Sequence, residues 1–342
     1  MSEDELSAVT CSVCIANYRG IDLIDACIDS VRRQVNGCSV EIIVHDDASD
    51  DGSVAHIRSR HPDVRLIESA ENVGFCIANN RMAAVARGRY LLLLNNDATL
   101  FPDALAVLAA EAERLGTPSI LTLPQFDMAS GHLLDIGSGL DPFLNSVPNA
   151  DPQRRMVGMV AGACLWIDKR LWDAAGGFPE WFGSLAEDLY LCCYARLAGY
   201  PVLALAESGY RHHVGLQFGG GLPREGRLRT TFRRRALTER NKTFVMAMLY
   251  PSPVVQLVLP LHLLLLLVEG ILLSVLRFRA AYLRQIYLPV FGALFRFRKP
   301  LLQARAFAAG KRRQSIGEFF AVFDPIPYKL RMLLRHGLPE TK

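Results

Sequence analysis

Four short polar clusters hold residue types that do chemistry. His45-Asp46-Asp47-Ala48-Ser49-Asp50-Asp51-Gly52 and Asn95-Asn96-Asp97 each follow an apolar run, Glu187-Asp188 precedes an apolar stretch, and His212-His213 is an imidazole dyad. A carboxylate with amide neighbours, as in Asn95-Asn96-Asp97, offers the hard oxygen ligands that a divalent cation on a diphosphate requires. Glu187-Asp188 offers a general base for a hydroxyl. The histidine dyad offers metal ligands or donors to phosphate. Asp46, with the loop Asn17-Tyr18-Arg19, offers an acceptor for the ring N–H of a nucleoside base. Each cluster alone also fits a plainer role: Asp50 or Asp51 capping a helix, Asn95-Asn96-Asp97 ending a strand, Glu187-Asp188 opening a helix, histidines held in a core. Their order, each at a strand end or helix start, favours a site.

Such clusters need elements that hold them at one edge. Val9 to Ala16 is short, apolar and β-rich, and ends in the turn Asn17-Tyr18-Arg19-Gly20. Apolar residues at 21, 24, 28, 31 and 35 predict a helix that Gly37 stops. Val40 to Val44 is a second strand, so the opening is a strand-helix-strand unit with a parallel sheet. The pattern continues with a helix from about Ser53, a strand over 64–68, a loop over 71–75, a helix through Asn79 to Ala86, and a strand over 90–94. Both acidic clusters then fall at carboxyl ends of parallel strands, the edge where open α/β sheets bind ligands. Further strands are expected over 119–123, 159–167 and 201–206, with a helix from Glu187-Asp188 to Ala198.

The 342 residues are 51% apolar, which excludes disorder and a small disulfide scaffold. The acidic, polar start MSEDELSAVT predicts no cleaved export signal. The eight cysteines read as reduced core residues, and Cys11-Ser-Val-Cys14 has no second pair at zinc-ribbon spacing. The net charge of +4 hides an asymmetry, because from Arg277 onward 14 Lys/Arg face 3 Asp/Glu. Val254 to Leu276 is almost unbroken apolar sequence, 23 residues, long enough to cross a bilayer but interrupted by Pro260, His262 and Glu269. It reads as one span or as in-plane amphipathic helices, with a long buried helix as the third possibility. The basic tail, interleaved with Phe, Tyr and Leu, suits an anionic membrane surface and not nucleic acid. Three regions follow: a catalytic domain over 1–218, a basic connector over 219–250 and a helical membrane-associated region over 251–342.

Residues 9 to about 218 resemble a family 2 glycosyltransferase of the GT-A fold, particularly its rhamnosyltransferase-like branch. Ala16-Asn17-Tyr18-Arg19 is a permuted form of the family's T-Y-N-R loop, and His45 to Ser53 is similar to V-D-D/N-x-S-x-D-x-S. Glu71-Asn72-Val73-Gly74-Phe75-Cys76-Ile77-Ala78-Asn79-Asn80 matches E-N-x-G-F-x-x-x-N-N. Ala86 to Asp97 matches A-R-G-x-Y-L-L-L-L-N-x-D, with Asn95 in place of the first Asp of a D-x-D. Gly176 to Phe182 matches G-G-F-x-E-x-F, and Glu187-Asp188 holds the family's E-D position, with Tyr190 where branch members carry a further carboxylate.

The resemblance implies a mostly parallel, Rossmann-like sheet flanked by helices, and inversion at an anomeric carbon in one displacement. It implies donor contacts from Asn17, Tyr18, Arg19, Asp46, Asn72, Gly74, Asn80, Asn96 and Asp97. Asp97 and His212, with His213 as the alternative, would hold Mn2+ or Mg2+. Asp188, paired with Glu187, would be the catalytic base. The implied partners are a nucleotide-sugar donor, rhamnose being the branch's sugar, and a lipid-linked or polysaccharide acceptor at the cytoplasmic face of the inner membrane. The competing readings are a degenerate transferase serving as a membrane adaptor, and a nucleotidyltransferase, although no G-x-x-x-x-G-K loop is present.

Overall fold

The computed structural model describes residues 9–35, 38–214, 220–224, 227–337 and 340–341. The chain forms two compact units, one of Met1–Ser138, Pro148–Ala195 and Tyr200–His213, the other of Gly139–Val147, Arg196–Gly199 and Val214–Lys342.

The first unit begins β1 (Cys11–Asn17), α1 (Ile24–Arg32), β2 (Val40–Asp46), α2 (Ser53–Arg60), β3 (Arg65–Glu68), α3 (Phe75–Val85) and β4 (Tyr90–Asn95). There follow β5 (Ala98–Leu100), α4 (Ala104–Leu115), β6 (Ile120–Thr122), β7 (Gln125–Asp127) and β8 (Leu133–Asp135). A short pair comes next in the chain, β9 (Ser138–Leu140) with β10 (Ser146–Pro148), most of which belongs to the second unit. The first unit resumes with β11 (Cys164–Asp168), α5 (Lys169–Ala175), α6 (Glu187–Leu197), β12 (Val202–Ala204) and β13 (Tyr210–His212).

Seven strands make the central sheet in the order β12-β6-β11-β4-β1-β2-β3. All pairings are parallel except those of β11, which runs antiparallel to β4 and β6. This is the mostly parallel α/β sheet expected. Val13, Ile15, Val44, Leu92 and Leu94 are buried in one core, which is why these strands read as continuous apolar runs instead of alternating ones. A four-stranded sheet, β5-β13-β7-β8, lies in the same unit.

Register lines up the polar strand ends. Asn17 pairs with Asp46 across β1 and β2, and Ala16 pairs with Asn95 across β1 and β4. The residues after the apolar runs therefore share one edge.

Several boundaries differ from expectation, three of them by three residues or more. The helix expected over 21–35 is only Ile24–Arg32, and its Gly37 stop lies outside the described residues. The helix read from Asn79 begins at Phe75, because Gly74, with φ 86°, lets the chain turn directly into it. The strand expected from Met159 begins at Cys164, and the preceding segment instead joins Met159 to Ser138 by a single bridge.

The second unit holds β14 (Gly220–Arg224) and β15 (Arg227–Thr230), then the helices α7 (Phe232–Leu249), α8 (Val254–Leu276), α9 (Leu288–Arg296), α10 (Arg298–Lys311), α11 (Ile316–Phe320) and α12 (Tyr328–His336). The stretch read as a connector thus contains an 18-residue helix, started by Thr231 Oγ1 accepting from Arg234 N. Gly219 and the expected boundary at residue 218 lie outside the described residues. Among the described residues α8 alone is long and apolar enough to cross a membrane, and only 22% of its apolar window is buried, unlike a core helix.

Candidate active site

At the carboxyl edge of the sheet, Asn96 Nδ2 donates to Asn17 Oδ1 at 2.8 Å, and Asn17 Nδ2 donates to Asp46 Oδ2 at 2.8 Å. All three side chains are buried, so this chain of amides and carboxylate fixes the ends of β4, β1 and β2 to one another. Gly20 closes over it, where a Cβ would collide with Asn96 Nδ2 and Asn17 Oδ1. Asp46 Oδ1 accepts from Ser49 N at 2.9 Å. Tyr18 and Arg19 lie further out: Arg19 forms a two-pronged ion pair with Asp50 and donates its backbone N–H to Ser49 Oγ, stitching the first strand's loop to the second's.

Neither aspartate expected to cap α2 sits at the cap. That position is Gly52, with no side-chain cap, while Asp51 takes the N–H groups of Ser53 and Ile21.

Asp47 is a residue that sequence alone does not single out from its neighbours. Its two carboxylate oxygens accept from Val73 N at 2.7 Å and Gly74 N at 2.9 Å, so it holds the Glu71–Phe75 loop. Gly74 must be glycine here, since its φ is 86° and a Cβ would stand 3.1 Å from the Gly183 carbonyl oxygen. Asn72 is exposed on that loop. Asn80 faces elsewhere: its amide nitrogen donates to Phe178 O at 2.9 Å and its oxygen accepts from Phe178 N at 2.9 Å. In the fold the second Asn of the motif thus clamps the segment at Phe178.

Asp97 and His212 come together from distant sequence. β13 runs antiparallel to β5 with His212 opposite Ala98, and His213 N donates to Asp97 O at 3.2 Å. Of the dyad, it is the His212 ring that lies beside Asp97. Its Nε2 stands 3.1 Å from Asp97 Oδ1, and that buried oxygen has no hydrogen-bond partner. The amides of Asn95 and Gln125 face Nε2 and Nδ1, each at 3.3 Å, and steady the ring. Two ligands about 2.1 Å from one cation and at right angles stand about 3 Å apart. A buried carboxylate oxygen left without a donor, opposite an imidazole nitrogen at that spacing, fits a divalent cation.

Glu187 and Asp188 open α6. The two residues before them, Leu185 and Ala186, adopt φ of 74° and 66° without being glycine, a strained approach of the kind the surrounding fold must enforce. Asp188 Oδ2 accepts from Gly162 N at 3.1 Å, and the carbonyl of the next residue, Ala163, accepts from Asn95 N at 3.1 Å. Two consecutive residues therefore link the carboxylate to the end of β4. Glu187 is buried, with Oε2 unpartnered; burial, and then the adjoining Asp188 carboxylate, hold its carboxyl well above the usual range. Tyr190, in place of the branch's further carboxylate, is buried and donates to Ala175 O at 3.3 Å.

A separate cluster brings ligand atoms of Asp25, His56 and His61 within 4.8 Å. Arg32 Nη1 donates toward His61 Nδ1 at 2.7 Å, which puts that ring's proton on Nε2, 2.7 Å from Asp25 Oδ1. These three side chains form a hydrogen-bonded brace between α1 and α2.

The family model for glycosyl transferase family 2 matches residues 12–133, and that for glycosyl transferase family group 2 matches residues 90–297, more than half the chain. The chain belongs to the family 2 glycosyltransferases. This family 2 member is 36% identical over 103 residues to the succinoglycan biosynthesis protein ExoO of Rhizobium meliloti, covering 30% of this chain and 29% of that one. It is 24% identical over 209 residues to an N-acetylglucosaminyl-diphospho-decaprenol L-rhamnosyltransferase of Mycobacterium tuberculosis, covering 51% and 66%. The chain thus spans less than two thirds of the length of these curated relatives. Its fold is similar to the crystal structure of GalNAc-T7 with UDP, GalNAc and Mn2+, at TM-score 0.62 and 14% identity, covering 98% of this chain and 59% of that one.

Proposed function

We propose that this family 2 glycosyltransferase moves a sugar, rhamnose in the first instance, from a nucleoside diphosphate to a hydroxyl of a lipid-linked or growing polysaccharide acceptor, with inversion. The observation that carries this reading is the buried, donor-free Asp97 Oδ1 facing His212 Nε2 at 3.1 Å, on the sheet edge that also presents Asp46. The mycobacterial relative named as a rhamnosyltransferase supports the choice of sugar.

Asp46, held by Asn17 and Ser49, receives the base's ring N–H. The loop that Asp47 fastens, with Asn72 and Gly74, bounds the donor, and Tyr18 and Arg19 form its outer rim. Asp97 and His212 would hold Mn2+ or Mg2+, which would supply positive charge against the departing diphosphate. Burial, and then the Asp188 carboxylate, disfavour the charged form of Glu187, which points to Asp188 as the proton acceptor of the pair. Asp188 takes the acceptor hydroxyl's proton as the new glycosidic bond forms and the bond to diphosphate breaks. The work is done at the cytoplasmic face of the inner membrane, where the apolar α8 and the basic tail meet lipid, and the catalytic region extends to about residue 218.

The test is nucleotide release from a panel of sugar nucleotides by detergent-purified protein, with and without Mn2+, beside Asp97→Ala. Metal-dependent release from one donor, lost in the variant, is expected. Release of pyrophosphate instead would mark a nucleotidyltransferase, and no Mn2+-dependent nucleotide binding at all would mark an adaptor.

A further inference from the structure

The two faces of α8 differ in a way that decides how a membrane could take it. Leu257, Leu261, Leu264, Val268, Ile271 and Val275 follow helical spacing and are all exposed. With the exposed Leu265, Leu272 and Leu276 beside them, they make an apolar arc about 140° wide, running about 28 Å along the helix. The opposite face packs Leu266 and Leu273 against Tyr282, Ile286 and Tyr287.

That inner face also carries His262 and Glu269. His262 Nε2 lies 2.9 Å from Thr243 Oγ1 of α7. Glu269 receives Arg235 Nη2 of α7 at 2.6 Å and Lys329 Nζ of α12 at 2.7 Å. Lys329 continues to Glu239 at 2.5 Å, and Glu239 to Lys242 at 2.8 Å. A five-membered ionic network from three helices thus underlies the apolar arc. Were α8 to cross a bilayer, α7 and α12 would have to follow their charges into hydrocarbon or abandon Glu269 there, and charges at that depth are strongly disfavoured.

The surface beyond the arc fits lipid headgroups. Phe278 is 96% exposed just past the helix end, between the exposed Arg277 and Arg279. From Arg277 onward basic residues outnumber acidic ones 14 to 3. A second copy of the chain is the weaker fit: a coiled-coil seam is narrow and flanked by charges, whereas the flanking positions here are Leu265, Leu267 and Leu272.

We propose that α8 lies in the plane of an anionic bilayer, its apolar arc among the upper acyl segments and Arg277, Phe278 and Arg279 at headgroup level, with the ionic network kept on the protein side. This rests on the membrane part of the reading above and refines it. It is independent of the transferase chemistry.

The test uses the full chain with Leu257→Trp, Leu264→Trp and Val275→Trp made singly, bound to vesicles of phosphatidylcholine with phosphatidylglycerol. The vesicles carry bromine at a shallow or a deep acyl position, and the quenching of the unsubstituted chain is subtracted. In-plane docking gives equal quenching at all three sites, stronger from the shallow label. It also gives vesicle binding that Arg277→Glu with Arg279→Glu weakens on the order of tenfold or more, while melting behaviour is unchanged. Deep quenching centred on residue 264, with shallow quenching at 257 and 275, means a span and overturns the proposal while leaving membrane association intact. Absence of binding to anionic vesicles overturns both. A dimer broken by Leu264→Glu, with no vesicle binding, assigns the arc to a second copy and overturns it as well.

Discussion

Asp97 Oδ1 and His212 Nε2 stand 3.1 Å apart because of strand register, not sequence proximity: β13 pairs with β5 so that His212 lies opposite Ala98, one residue past Asp97. Neither atom completes a hydrogen bond with the other, and the oxygen is buried without a donor. A buried carboxylate oxygen in that state leaves an acceptor available to a cation.

Removing either member should therefore cost function more than folding. Asp97→Asn and His212→Ala are each expected to lower metal-dependent nucleotide release about 10²–10³-fold, in the range seen when one group stabilising a developing charge is deleted. Titration of release with Mn2+, together with a melting curve for each variant, checks this; wild-type release by both variants would remove the pair from the site.

Asp188→Asn keeps the shape of the side chain and one of its two bonds, from Gly162 N or from Leu189 N, but cannot accept a proton. Turnover should fall about 10²–10⁴-fold with nucleotide binding retained, as measured by calorimetry beside the rate assay. Glu187→Gln should change turnover far less, since burial and the adjoining Asp188 carboxylate raise that carboxyl well above its usual range and disfavour its charged form.

The loop held by Asp47 gives a split between binding and chemistry. Asp47→Ala removes the acceptor of two backbone N–H groups, so the donor KM should rise while kcat moves less. Gly74→Ala should cost about 1–3 kcal/mol for the positive-φ backbone alone, read from urea unfolding. An unchanged midpoint would mean the loop adapts.

Stability should also depend on pH through Asp135. Burial pushes its carboxyl up to about 6, against the opposing hydrogen bonds from Ser138, Asn149 N and Ile136 N. The unfolded side chain ionises near 3.8, so between about pH 4 and 6 the folded state holds a proton that the unfolded state has released. Stability from this group is then full below that window, falls as pH rises through it, and is level above. Asp135→Asn should flatten that slope in urea midpoints collected across the range.

Much of the site is legible in the sequence because it sits where patterns are strongest. An apolar run followed by Asp or Asn announces a buried parallel strand and its carboxyl end, so Asp46, Asn96 and Asp97 stand out by position as well as type. Asn80 does not, because nothing in E-N-x-G-F-x-x-x-N-N tells a ligand contact from a clamp on Phe178, 98 residues away. Asp47 is hidden for a similar reason: two adjacent aspartates look alike until one is seen to accept from Val73 N and Gly74 N.

Whatever depends on neighbours along the chain could be read without a fold: the alternation of strands and helices, the polar residues closing each strand, the glycine at position 74 and the apolar length of α8. Register and packing settled the rest. They chose His212 over His213 as the ring beside Asp97, joined Asn17 to Asp46 and Asn96, and turned Glu269 toward Arg235 and Lys329. They also set Asn95 against His212, 117 positions away. Local sequence directs a side chain from its own backbone, but the partner it meets is settled by how strands register and helices pack.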